Sequence, residues 1–386
     1  MWKPIVGAAS LVMVLALPSA ARAQATGDEP ELVEEPAGDQ PASTKEKKRK
    51  GRPDQLRFGG RVYVRDTLSG VAVGDDTTWL EERTIDSARA FLSFRPNRRT
   101  RMDIEVDFAK GQAGVKDTFI RFEPFAFLEL TAGRFKRPVS FIGLESSWSL
   151  PRIDRGLLSA LRFSDGSRLL FAGGRGDGLA LHFDPGGAMR PELTIVMHQS
   201  EVADGLGLEI TEAVNQDLFA RFEFEPVEGL HLAMAGGWIG TLTRLAGDPD
   251  SYAHRPFGTL EAFLETSSLR VWLEAMAGLN ANAYVGNEQS GRFVAAQTLV
   301  APRLELPGSL RAIEPYGAFA WYEPSTDQSD DQFTEVTGGA SLWISGKLRL
   351  QLEGGRRFAQ DAAAAADATI IRIQLGAAFK SKTILD

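Results

Sequence analysis

Seven basic side chains crowd one stretch of an otherwise acidic chain. Lys136, Arg137, Arg152, Arg155, Arg162, Arg168 and Arg175 face only Glu145, Asp154 and Asp165 in the same stretch. The formal net charge of the whole chain is -8. Chemistry suited to such a cluster is the handling of anions. A guanidinium presents a rigid fork of N–H donors that matches phosphate or carboxylate, and an ammonium gives a point charge. A ring of such groups around a pore selects for anions. More cations, among them Arg65, Arg89, Arg121, Arg221 and Arg270, fall on the charged faces of alternating segments. A bland role competes for these, because Asp103, Glu105, Asp107, Glu123, Glu223, Glu261, Glu265 and Glu274 are available to pair with them.

Other chemistries find little support. His182, His198, His231 and His254 are too scattered to specify a metal site. The glycines around Gly173–Gly178 lack the strand-then-helix context of a dinucleotide loop. No Gly-x-Ser-x-Gly elbow occurs. An enzyme, a cofactor, a metal site and a nucleic-acid partner are therefore not expected.

The segments around the basic stretch alternate apolar and polar residues with period two. Met102, Ile104, Val106 and Phe108 interleave with Asp103, Glu105 and Asp107. Leu218–Phe224, Leu260–Glu265, Leu269–Ala275, Lys347–Glu353 and Ile371–Leu375 repeat the pattern. A helix repeats every 3.6 residues and cannot place charges this way; a strand can. Connections also alternate. Short ones rich in Pro, Gly, Asn and Ser, such as Arg95–Arg99, Glu123–Ala126 and Ser345–Lys347, take turn with longer polar ones. The longer ones are expected at Leu68–Ile85, Lys110–Gly114, Lys136–Arg175, Ser200–Val214, Thr241–Pro256, Asn280–Gly291, Glu323–Gln332 and Ala359–Ala368. This division predicts about sixteen strands, an even number, with short turns at one end and long loops at the other. That is the layout of an outer-membrane barrel.

In lipid every backbone N–H and C=O must find a partner within the protein, so only helices and closed barrels span. No later stretch is apolar for long enough to make a spanning helix. The expected fold is all-β: a transmembrane antiparallel β-barrel of about sixteen strands. Alternation alone does not say which face points inward, and a large soluble barrel alternates too. Barrels of this size enclose an aqueous channel. Lys136–Arg175 is the only loop long enough to fold inward and narrow it.

Residues 1–23 read as a cleaved secretory signal peptide. Lys3 opens it, Ile5–Leu17 is its apolar run, and Ala21-Arg22-Ala23 is its small-x-small cleavage site. Removing Lys3 and Arg22 with it makes the mature chain two charges more negative. Residues 24–54 are expected to be a disordered linker, acidic at Asp28–Glu35 and basic at Lys45–Lys50, and residues 55–386 the barrel. No cysteine is present, so closed architecture rather than disulfides must stabilise an exported chain.

Leu130-Thr131-Ala132-Gly133-Arg134-Phe135-Lys136-Arg137-Pro138-Val139-Ser140-Phe141 resembles the phosphate-selective porin O/P family, whose members end a strand in G-x-F-K-x-P-F-[GS]. Leu144-Glu145-Ser146-Ser147 and Arg155-Gly156 are similar to motifs further on. The resemblance implies a sixteen-stranded trimer in the outer membrane of a Gram-negative-type cell, with its third loop folded into the lumen. It also implies help from the barrel-assembly machinery, which recognises a terminal aromatic. Here Phe379 closes a good strand, but Lys380–Asp386 follow it. Lys136, Arg137, Arg152, Arg155, Arg162 and Arg168 on the loop, with Arg121 and Arg221 on the wall, are the candidate pore-lining residues. The expected function is passive passage of small anions such as phosphate. A non-selective diffusion porin and a plugged anchoring barrel are the alternatives.

Overall fold

The computed structural model describes residues 55–73, 76–109, 113–156, 174–199, 216–241, 253–279, 292–323, 326, 332–360 and 367–384. The expected leader and linker lie outside the described residues.

Strands follow one another from β1 (Gln55–Val73) and β2 (Asp76–Asn97) through β3 (Thr100–Asp107), β4 (Gly114–Phe125) and β5 (Leu128–Lys136). A short helix, α1 (Phe141–Leu144), precedes β6 (Arg175–Phe183), β7 (Glu192–Gln199), β8 (Gln216–Val227) and β9 (Leu230–Thr241). Next come β10 (Ala253–Glu265), β11 (Leu269–Leu279), β12 (Arg292–Pro302) and β13 (Leu304–Glu305). The series ends with β14 (Ala312–Glu323), β15 (Phe333–Ser345), β16 (Leu348–Ala359) and β17 (Ala368–Ile384). Apart from β12 and β13, each strand pairs antiparallel with its sequence neighbour, and β17 returns to β1 over Gln55↔Ile384 to Val71↔Ala368. The sheet therefore closes on itself. Both β12 and β13 pair with β14 and form one interrupted stave, so the wall has sixteen staves, as the segment count predicts.

Burial decides which face is which. Leu260 is 64% exposed and Leu218 and Leu273 more than half exposed, while Glu105, Asp217, Glu261 and Arg349 are buried. The outward face carries Phe58, Val62, Ile104, Ile120, Leu179, Ile195, Leu352, Ile371, Ile373 and Leu375. Charged side chains turn into the lumen. A soluble barrel would reverse this arrangement, because exposed apolar patches of such extent cost free energy in water. In a bilayer it is the stable one. No helix among the described residues is long and apolar enough to cross a membrane.

Two expectations change. Leu68–Ile85 is not a long loop: β1 and β2 extend as a paired hairpin to Val73↔Asp76. Residues Lys380–Ile384 are not an appendage to the last strand, since they continue β17 and pair with Gln55–Gly59. Closing the barrel at its first strand gives their backbone groups partners that the alternation pattern alone did not require. The aromatics near strand ends divide between the faces: Phe257 points inward at 7% exposure, whereas Phe108, Phe122, Phe183, Trp238, Phe358 and Phe379 are exposed.

The inward face is not uniformly polar. From β8 to β15 it carries Phe219, Phe257, Phe263, Trp272, Met276, Phe293, Leu299, Tyr316, Tyr322 and Phe333, all buried. Val139, Ile142 and Leu150, beyond β5, complete this interior core. One part of the lumen thus has a packed apolar lining that receives the loop.

Candidate functional site

The loop leaves the wall at Lys136 and rejoins it at Arg175, directly opposite in register. Gly133 lets β5 lie close to β4: its φ is +127°, and a Cβ there would sit 2.2 Å from the Thr118 carbonyl oxygen. Pro138 then ends the strand. Ser140 caps α1, its Oγ accepting from the Gly143 N–H at 3.1 Å. Ser146 Oγ accepts from the Trp148 N–H at 3.1 Å and so turns the chain again. Local polar side chains thus shape a compact segment, residues 137–156, from a sequence with few helix or strand signals.

Wall side chains hold that segment across the lumen. On β8, Asp217 accepts from Arg137 at 3.0 Å, with both side chains buried. On β10, Thr259 Oγ1 donates to the Val139 carbonyl and Glu261 accepts from the Phe141 N–H at 2.6 Å. Arg270 of β11 donates to the Ser149 carbonyl. On β15, Ser341 donates to the Pro151 carbonyl at 2.7 Å. Arg349 of β16, fully buried, donates to the carbonyls of Ser147, Trp148 and Leu150 and lies over the Trp148 ring. Gln351 adds bonds to Leu150 and Pro151, and Glu353 accepts from the Ile153 N–H. Arg372 of β17 pairs with Asp154 at 2.5 Å, and Arg61 of β1 donates to Ser146 at 3.1 Å. The loop is a strut fastened to opposite parts of the wall.

The candidate cations have definite places in this arrangement. Lys136 Nζ donates to the carbonyls of Leu144 and Glu145. Arg137 pairs with Asp217. Arg152, buried, pairs with Asp154 at 2.7 Å and approaches Glu335 at 3.5 Å. Arg155 donates to the carbonyls of Ile142, Gly143 and Glu145, which tightens the segment on itself. Arg121 pairs with Glu129 at 2.9 Å. Arg221 pairs with Glu261 at 2.6 Å and Glu223 at 3.3 Å, beneath the ring of Phe141. Arg162 and Arg168 lie outside the described residues. The bonds found for the loop cations are the kind that fasten a loop, and they bring Lys136, Arg137, Arg152 and Arg155 into one strut, whereas Arg121 and Arg221 pair with carboxylates of the wall.

The anchors Arg61, Asp217, Arg349, Gln351, Glu353 and Arg372 escape a reading of the sequence. All lie on polar strand faces, and Arg349, Gln351 and Glu353 alternate openly. Nothing local marks them as loop partners, because their bonds join residues from 80 to 218 positions apart, as in Arg349 to Leu150.

Asp154 carries a pH dependence. Burial favours its neutral form, but Arg152 and Arg372 outweigh burial and hold its carboxyl at about 2. A carboxylate whose pKa is depressed on folding stabilises the fold above its unfolded value and loses that contribution as pH falls through the folded one. Conductance recorded from pH 7 to pH 4 should therefore show no release of the loop. Loosening, seen as rising current noise, belongs near pH 2. Onset already at pH 5 would mean that Asp154 is not held this way.

No family model matches this sequence, and no curated protein matches it. Solved structures do. The anion-selective porin of Comamonas acidovorans superposes with a TM-score of 0.60 at 12% identity, covering 84% of this chain and 99% of that one. The outer-membrane channel DcaP of Acinetobacter baumannii gives 0.58 at 11% identity, covering 84% and 97%. OmpT of Vibrio cholerae, in its trimer form, gives 0.53 at 13% identity, covering 84% and 99%. At such identities the likeness extends to architecture alone: this chain has the fold of the outer-membrane porins.

Proposed function

We propose that this chain is a passive diffusion porin of an outer membrane, exported by a cleaved signal peptide at residues 1–23. The observation that carries the reading is a closed barrel, apolar outside and charged inside, with a loop fastened across its lumen. Such a wall needs no energy source or catalytic group to pass solutes. It needs a wet path of limited width, and a fixed strut limits width. Assembly as a homotrimer in contact with outer-membrane lipid fits the trimer form solved for OmpT. Insertion by the barrel-assembly machinery fits the layout.

Small anions such as phosphate are the proposed preferred solutes. Support comes from the basic loop and from a structural neighbour that is itself called anion-selective. In this reading Lys136, Arg137, Arg152, Arg155, Arg162, Arg168, Arg121 and Arg221 set the field of the constriction. Those paired with carboxylates contribute less than their number implies. That pairing is the specific observation favouring a second reading, a diffusion porin of little charge preference. A plugged anchoring barrel is the third, favoured by the number of bonds that fasten the loop.

Mature protein in a planar bilayer under a potassium chloride gradient separates them. Steady conductance with a reversal potential on the anion side, and block by added phosphate, is the expected result. Conductance with a reversal potential near zero would leave the porin and remove the anion preference. Silence in the bilayer would favour the plugged barrel.

A further inference from the structure

The register of β3 and β4 contains an irregularity with a consequence for charge. Ile104 lies opposite Thr118 and Val106 opposite Val115, so Glu105 alone faces both Lys116 and Asp117. That is a β-bulge, a device that re-aims side chains and gathers at barrel rims and functional sites. Without it, alternation would send Lys116 and Asp117 to opposite faces. With it, Val115 still points outward at 53% exposure, Asp117 is buried inward, and the Lys116 ammonium reaches the lumenal Asp107.

The neighbours of Lys116 are already engaged. Asp117 holds Arg175 through two bonds of 2.8 and 2.9 Å. Glu105 takes Arg89 at 2.8 Å and Arg61 at 3.4 Å. Asp107 accepts from the N–H groups of Ala88 and Ala109, from Ser87 and from Arg89. The approach of Lys116 to Asp107 is long, 3.8 Å, and its side chain keeps 37% exposure. Four cations, Arg61, Arg89, Lys116 and Arg175, thus share three carboxylates, Glu105, Asp107 and Asp117. Lys116 is the most exposed of the four. An ammonium with three donors and, among the described residues, one long contact keeps donors for a passing ion.

We propose that the bulge makes Lys116, on the barrel wall rather than on the loop, the residue where small oxyanions pause during passage. Arg89 and Arg175 supply the supporting field. The proposal rests on the channel reading above and adds to it a site on the wall, outside the basic loop. The loop cations, tied into the strut, set the general field of the constriction; the bulged lysine meets the solute.

Three variants test it in planar bilayers under a potassium chloride gradient: K116E, K116Q and R83E, the last changing an exposed arginine of the β1–β2 hairpin as a control. A unit charge ~8 Å from the ion path in a water-like dielectric, screened by about 0.1 M salt, shifts anion and cation in opposite senses and so alters the anion-to-cation permeability ratio by about twofold, and two units by about fivefold. The ratio should fall about twofold in K116Q and about fivefold in K116E, and stay unchanged in R83E. Half-block by added phosphate should move to higher concentration in the same order. Heat-modifiable gel mobility establishes that each variant is folded, and K116Q tests the point should K116E not assemble. Conducting wild type with K116Q and K116E ratios unmoved would overturn the Lys116 assignment and leave the porin reading standing. A wild type without preference whose K116E variant turns towards cations would still support Lys116. No conductance in any folded form would overturn both.

Discussion

Leu260→Arg should cripple membrane assembly. Leu260 is 64% exposed, sits near the middle of β10 and has no role in the lumen. Arginine near the bilayer midplane of a barrel costs about 2–4 kcal/mol. On the surface of a soluble protein the same change would fall within about 0.5 kcal/mol of neutral. Urea titration of the protein folded into phospholipid vesicles measures the difference directly. The expected result is a midpoint shift equivalent to about 3 kcal/mol, or failure to insert. An unchanged midpoint would mean that the exposed leucines do not face lipid, and the membrane assignment would fall with them. Leu260→Ala is the control, since it shortens the side chain without bringing charge into the hydrocarbon.

The second large effect concerns the strut. Arg349→Met should loosen the loop while keeping the stem that packs beside Trp148 and Trp343. Arg349 satisfies three loop carbonyls and is fully buried. A hydrogen bond to a charged group contributes about 1.5–3 kcal/mol. Water entering the lumen replaces part of this, so a loss of roughly 3 kcal/mol is the reasonable expectation for three such bonds. The readouts are a lower unfolding midpoint and a larger, noisier single-channel current as residues 147–150 come away from β16. Lysine at 349 should rescue little, because a point charge cannot serve three carbonyls as a fork can. A current trace indistinguishable from wild type would mean that the remaining anchors, Arg61, Asp217, Glu261 and Arg372, hold the loop without Arg349.

These two experiments probe opposite faces of the same strands. Leu260 and Glu261 are adjacent in sequence, yet one belongs to lipid and the other ties Arg221 and the Phe141 N–H inside the lumen. Period-two geometry makes that possible: neighbouring side chains stand on opposite sides of the sheet. It also explains the interior core. β12 places Phe293, Ala295, Leu299 and Ala301 inward while Val300 faces out. Both faces of that strand are largely apolar, which weakens alternation there, and its inner face joins the core that Ile142 and Leu150 of the loop complete.

The sequence by itself determined the strand periodicity, the number of staves and the places of the short turns. These are local: each depends on residues within about ten positions, and steric and solvation rules act at that range. It also singled out the segment after β5, because Lys136, Arg137 and Pro138 end an alternating run and the next run begins only after Arg175. Tertiary structure alone decided which face is wet, because alternation is symmetric until closure sets an inside. It alone decided what the loop cations do. Arg137, Arg152 and Arg155 read as an open basic ring, yet Asp217, Asp154, Glu335 and three loop carbonyls claim them. And it alone turned Lys116 inward. A one-residue slip between β3 and β4 leaves no mark in composition or periodicity, because a bulge is a property of two strands in register and not of either chain segment alone.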